Sequence, residues 1–369
     1  MVGNYKTYSK IEAIELHQKT GIHPHWFFNE DVFTTIDWRI EPTQTLEELY
    51  AIRAQQIREK YDYIVLLCSG GSDSINILNT FVNNKIHLDE VANMSSYEGD
   101  RDYHSFFNAE IYNIAVPKIL KIQEKFPHIK HRVIDLSSII NNLYNDPDMK
   151  YDFLYRMNMK FSPNNLARSF IRNAVSDYKD ILASGKKLCF IWGAEKPRIF
   201  LENGKYCFKF LDILDPCVSP RMQMLNNPWE HDELFYWSPD LPQLIIKQAH
   251  KIVQFLRRGC FNPTDLIRES EAQFKSHGHV INCGEKFYLS QRKLHEIIYN
   301  MDNIWSEKSA SSFFSKRDIW FLKNPNHSTG AINYMHGIEK LKSIVPDYWV
   351  NDIFYRDIKG CVSPSYYIE

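Results

Sequence analysis

The sequence predicts an α/β protein: a parallel, twisted sheet with flanking helices, followed by a mainly helical C-terminal region. Two observations carry this. Between residues 62 and 193, short apolar runs alternate with amphipathic segments, the pattern of parallel strands joined by crossover helices. The first of these runs, Tyr63 to Cys68, passes directly into a small-residue turn, Ser69-Gly70-Gly71-Ser72-Asp73-Ser74. A helical repeat through Ile75, Leu78, Phe81 and Val82 follows, closed by Asn83-Asn84. The chain has 369 residues, 44% hydrophobic and 24% charged, enough for one large core with appendages.

The elements follow in order. Residues 1 to 43 are an aromatic-rich lead-in, with His23-Pro24-His25-Trp26-Phe27-Phe28 and Trp38. Trp26, Phe27, Phe28 and Trp38 are expected to pack on the main domain. His23 and His25 have no third ligand nearby and read as packed or exposed side chains rather than a metal site. Thr45 and Glu48 form a capping box, and Leu46, Leu49, Ile52, Ile57 and Tyr61 make the apolar stripe of the helix they start. After the turn and its helix, Leu88 to Ser95 reads as a second strand and His131 to Leu136 as a third. Residues 104 to 126 between them read as a helix that Pro117 kinks or restarts. Residues 137 to 163 are a polar loop. A helix over Asn164 to Ser184 ends at Gly185, and a fourth strand covers Lys187 to Trp192. Phe200 to Asp212 is a hairpin turned by Asn203-Gly204. Residues 238 to 259 form a helix, and another lies near 289 to 304.

The turn explains itself residue by residue. Gly70 and Gly71 have no Cβ, so an anion can approach the main chain closely. Ser69, Ser72 and Ser74 add hydroxyl donors. Asp73 would repel a polyphosphate unless it holds Mg²⁺ or caps the helix. No Lys-Ser/Thr follows the glycines, so this is not the Walker pattern. Ser-Gly-Gly-Ser-Asp-Ser after a strand resembles the SGGxDS motif of the N-type ATP pyrophosphatases, or PP-loop proteins. That group includes asparagine, argininosuccinate, NAD and GMP synthetases, tRNA-thiolating enzymes and sulfate-nucleotide reductases.

The resemblance covers residues 61 to 200, and its specific part is the six-residue loop. It implies a Rossmann-like sheet and ATP cleaved between the α and β phosphates. Ser69, Gly70, Gly71, Ser72, Asp73 and Ser74 would hold the pyrophosphate end, with Mg²⁺ on Asp73. It also implies that the end of the second strand, Asn93, Met94 and Ser95, lies by the adenine.

The fourth strand runs into Gly193-Ala194-Glu195-Lys196-Pro197-Arg198. Lys196 and Arg198 are candidates to neutralise phosphate charge, and Glu195 to hold Mg²⁺ or position a nucleophile. Arg168 and Arg172 share one helix face. With Gly193 they match in kind the later part of the tRNA-lysidine and tRNA-thiolating enzymes. The histidine and paired aspartates of the GHxxDDxxE pattern are absent, which weighs against tRNA chemistry. A lysine beside the ATP site is instead similar to asparagine synthetase-type amide formation.

The chain thus divides into an N-terminal extension (1–43), a PP-loop ATP-binding domain (44–260) and a C-terminal region (261–369). The expected activity is that of an adenylating ligase with ATP and Mg²⁺. An oxygen of a carboxylate or carbonyl is adenylated, PPi leaves, and an amine or ammonia displaces AMP. The alternatives are sulfur transfer to a nucleobase or tRNA, and a nucleotide-binding module without turnover. A net charge of −1 implies no bulk attraction to nucleic acid or anionic membrane. The seven cysteines are scattered without a CxxC, which fits a reducing compartment. His277, His279 and Cys283 lie near one another without an evident fourth ligand. No signal segment opens the chain and no run reaches the ~18 apolar residues of a membrane span, so a cytoplasmic location is expected.

Overall fold

The computed structural model describes residues 1–7, 10–25, 28–95, 108, 111–139, 142, 171, 175–193, 197–210, 230–259, 266–268, 280–283, 285–289, 291–300, 339, 343 and 363–369. Its central sheet is built from β1 (Tyr63–Leu67), β2 (Glu90–Ser95), β3 (Lys130–Asp135), β4 (Leu188–Trp192) and β7 (Glu230–Leu234). The order is β3-β2-β1-β4-β7, and every pairing is parallel. From β1 the chain steps outward through β2 and β3, then returns to the other side of β1 for β4 and β7. Strand order therefore reverses between β1 and β4, and the crevice beyond their carboxyl ends is the topological switch point. The four predicted strands are all present. Residues 230–234, a run of Glu-His-Asp-Glu-Leu, form a fifth strand that the sequence did not announce. It sits at a sheet edge, where polar residues are tolerated and no apolar alternation marks it.

Helices α1 (Lys10–Thr20) and α2 (Glu30–Phe33) precede α3 (Leu46–Lys60). The capping box of α3 is complete: Glu48 N donates to Thr45 Oγ1 at 3.1 Å, and Thr45 N to Glu48 Oε2 at 2.7 Å. Its buried stripe runs through Leu46, Leu49, Tyr50, Arg53, Ala54 and Ile57. Ile52, read into that stripe, is exposed, because a charged residue, Arg53, takes the inward position. Helix α4 (Ser72–Asn83) follows the glycine turn. A π-helical turn over Ile111–Ala115 leads into α5 (Val116–Gln123). Pro117 lies in the first turn of α5, where no intrahelical N–H is needed, so it starts a second segment. Helix α6 (Ser176–Ala183) ends at Gly185, with φ +79°.

The predicted hairpin is β5 (Ile199–Glu202) and β6 (Lys205–Phe208), with positive φ at both Asn203 and Gly204. A third strand, β11 (Tyr366–Tyr367), joins β6. Aromatic residues of the N-terminal lead-in pack here. Trp38 stacks on Phe208 (ring centroids 5.1 Å apart) and on Tyr366 (4.5 Å), and Phe28 and Phe33 are buried beside them. Trp26 and Phe27 lie outside the described residues. Helix α7 (Pro242–Arg257) is buried along most of its length. Strands β8 (Leu266–Arg268), β9 (Val280–Cys283) and β10 (Glu285–Leu289) make an antiparallel sheet, followed by α8 (Gln291–Tyr299). The described part of the C-terminal region is thus mixed, not mainly helical. Among the described residues no helix is long and apolar enough to cross a membrane.

Candidate functional site

The Ser69–Ser74 loop lies at the switch point, between β1 and α4. The end of β1 is fixed from the neighbouring strand β2. Cys68 N donates to Ala92 O at 2.8 Å. Asn93, fully buried on β2, donates its amide to Cys68 O at 2.6 Å. The amide oxygen of Asn93 lies 2.7 Å from His131 Nε2 on β3. Burial lowers the His131 pKa against the opposing charge of Glu90. The ring is therefore neutral, with its proton on Nε2 facing that oxygen. Asn93 is a prop for the loop: both ends of its amide are engaged inside the sheet.

Gly70 turns the chain at φ +82°, a conformation that a side chain would strain. Gly71 is the N-cap of α4 and has no side chain to offer the first-turn amides. Those N–H groups and the positive helix end form a seat for an anion. The loop is braced from within, since Ser74 Oγ donates to Gly71 O at 3.0 Å and Gly71 N to Ser69 Oγ at 3.3 Å. Gly193, just past β4, closes on the same point. A Cβ there would stand 3.1 Å from Ser74 N and 3.3 Å from the Asp73 carbonyl carbon. A side chain at 193 would therefore crowd the backbone of the loop unless one of the two segments shifted by a few tenths of an ångström.

Asp73 is not the cap of α4; it occupies the second helical position. Its carboxylate Oδ1 accepts the Tyr299 hydroxyl at 2.6 Å, and His295 Nε2 lies 3.8 Å from the same oxygen. Its backbone carbonyl accepts the Tyr236 hydroxyl at 2.8 Å, and Asn76 Nδ2 donates to that hydroxyl at 3.1 Å. Burial, together with the Asp73 charge, raises the pKa of Tyr236 and Tyr299 well above the usual phenol value. Both stay protonated and act as donors.

Of the other predicted residues, Met94 is half-buried at the end of β2, and Arg198 is buried just before β5. Arg168, Arg172, Glu195 and Lys196 lie outside the described residues, as do His277 and His279. Sequence reading missed Asn76, Tyr236, His295 and Tyr299. It also missed Lys118, half-buried on α5, whose pKa burial lowers against an opposing influence of Cys68. Only Asn76 carried a local signal, a polar residue one turn after Asp73 on a buried face.

Among the described residues there is no group of three or more His, Cys, Asp or Glu that could hold a metal ion. A cation at the loop would draw on Asp73 and otherwise on phosphate oxygens and water, which is how Mg²⁺ is ordinarily held beside a nucleotide. The donor set fits that ion. A second concavity of about 550 Å³ lies between residues 36–39, Asn203, Lys205 and residues 365–369. Within it Arg39 pairs with Asp37, and Glu369 pairs with Arg257. No protein-family model matches the sequence, and no curated protein matches it either.

Proposed function

We propose that the protein is an ATP-dependent adenylating ligase. The observation that carries this reading is the position of Ser69–Ser74. An SGGxDS-like loop joins β1 to α4 at the switch point of a parallel sheet, and Gly193 packs against its first-turn amide. The first-turn N–H groups and the Ser69 and Ser72 hydroxyls bind the β and γ phosphates of ATP. A carboxylate or carbonyl oxygen of the acceptor attacks the α-phosphorus. The bond to the bridging oxygen breaks, and PPi leaves with its electron pair. An amine or ammonia then displaces AMP. Asp73 holds Mg²⁺, whose chemistry is to neutralise charge on the phosphates. Arg198, buried just before β5, is the candidate to supply further neutralisation.

Sulfur transfer needs an accessible thiolate. Cys68, Cys189 and Cys207 are buried. Burial pushes the Cys189 thiol well up and the Cys207 thiol to about 11, with Glu233 and Glu202 adding to it. These three are packing residues rather than candidate sulfur carriers.

The test is to incubate the protein with Mg²⁺ and α-labelled ATP, with and without a small-molecule extract. AMP and PPi are expected only with extract, and both are lost in Asp73→Ala. ADP and phosphate as products would overturn the reading.

A further inference from the structure

Helix α8 belongs to the region whose sequence carries no motif, yet it ends on the loop. His295 and Tyr299 are four residues apart and so share one face. Their rings stack with centroids 5.5 Å apart and an interplanar angle of 20°. Both are buried, and both face the Asp73 carboxylate: Tyr299 through a 2.6 Å hydrogen bond, His295 at 3.8 Å. The last turn of α8 is itself fixed from elsewhere. Tyr50 on α3 donates to Ile298 O at 2.5 Å, and Gln248 on α7 donates to the Tyr50 hydroxyl at 3.0 Å. Tyr236 from the end of β7 holds the Asp73 main chain.

This arrangement serves the carboxylate rather than the helix. Gly71 is the cap, and an acid in the first turn is already favoured by the helix dipole without a tyrosine. What Tyr299 adds is direction, because a phenol donor at 2.6 Å selects one orientation of the Asp73 side chain. Groups that orient a metal-binding carboxylate in this way govern its affinity without touching the ion.

We propose that Tyr299, backed by His295, is a positioning residue that sets the Asp73 carboxylate for Mg²⁺, so that α8 makes the C-terminal region part of the nucleotide site. The inference rests on the adenylation reading. It is tested by equilibrium dialysis of α-labelled ATP against the full-length protein, over a range of Mg²⁺ concentrations and in EDTA. Wild type, Tyr299→Phe and His295→Gln are compared, with thermal melts to establish that each is folded. Tyr299→Phe is expected to raise the Mg²⁺ concentration for half-maximal binding by about 10- to 100-fold. Binding in EDTA is expected to be unchanged. His295→Gln should shift the midpoint in the same direction by less, and it carries the test if Tyr299→Phe does not fold. Folded variants with the wild-type Mg²⁺ midpoint would overturn the proposal. So would an equal loss of binding with Mg²⁺ and in EDTA, which is the mark of a merely structural role. A wild-type protein that binds no ATP in either condition would sink the adenylation reading itself, and this inference with it.

Discussion

Gly193 shows how one residue type can be dictated by a contact far along the chain. Its missing Cβ, which would stand 3.1 Å from Ser74 N, is what lets the end of β4 lie closely against the first turn of α4. That neighbour is backbone, held by β1 and α4, and cannot swing aside as the tip of a side chain would. Gly193→Ala is therefore expected to cost roughly 1–3 kcal/mol by overpacking, measured by urea denaturation. Its sharper signature is local. If the proposed function holds, ATP raises the melting temperature of wild type but not of the variant, because the displaced amide belongs to the proposed phosphate site. A variant as stable as wild type, with the ATP-dependent shift intact, would show that the two segments are not tightly coupled. The strand, turn and helix around Ser69–Ser74 were legible in the sequence because their signals are local: an apolar run, a glycine turn and a helical repeat in succession. Tyr299 was not legible, since its tie to Asp73 spans 226 residues and leaves no mark on its own neighbours.

At the scale of elements, α3 and β7 are joined by a buried ion pair. Arg53 Nη2 donates to Glu233 Oε2 at 2.5 Å, with the two side chains 1% and 6% exposed. Lys60 Nζ and the Tyr61 hydroxyl donate to the other oxygen at 2.9 and 2.7 Å. This pair explains the parts of the fold that sequence patterning misjudged. Arg53 broke the apolar stripe of α3, and Glu233 left β7 without an apolar strand pattern. Each residue violates its own local pattern, and each makes sense only with the other. Burial works to raise the Glu233 pKa, but Arg53, Lys60 and Tyr61 outweigh it and hold the carboxyl at about 2 against an ordinary 4.5. The sign follows from a depressed carboxyl. Its stabilisation is fully present above 4.5 and is lost as pH falls from 4.5 toward 2. Urea titrations at neutral pH and at about pH 3 should show wild type losing about 2 kcal/mol more than Glu233→Gln. Equal acid sensitivity in both proteins would count against the pair. Arg53→Ala, which strands the buried carboxylate, should cost about 3–5 kcal/mol at neutral pH.

For the molecule as a whole, the decisive question is whether the N-terminal lead-in is an appendage. Its composition reads as an extension, but its packing makes it part of the core. Trp38 is buried between Phe208 and Tyr366, and Phe33 sits 4.6 Å from the Phe210 ring. The lead-in is also tied to α7. Lys247 Nζ donates to Pro42 O at 2.8 Å, and His250 Nε2 lies 2.8 Å from Trp38 O. Burial lowers the His250 pKa, so the neutral ring donates to that carbonyl. One residue along from Lys247, Gln248 reaches Tyr50, whose hydroxyl meets the last turn of α8 next to Tyr299 and Asp73. A single buried helix thus touches the lead-in on one side and the support of the loop on the other. Trp38→Ala should cost about 3–5 kcal/mol, read as a lowered urea midpoint with an unchanged slope. Deleting residues 1–43 should do more, leaving Phe208, Phe210, Tyr366 and one side of α7 uncovered. Such a chain is expected to bind an apolar dye, lose its cooperative transition and fail to bind ATP. A truncated protein that unfolds at the wild-type urea midpoint and still binds ATP would make the lead-in an appendage after all, and would break the proposed route from Trp38 through α7 to Asp73.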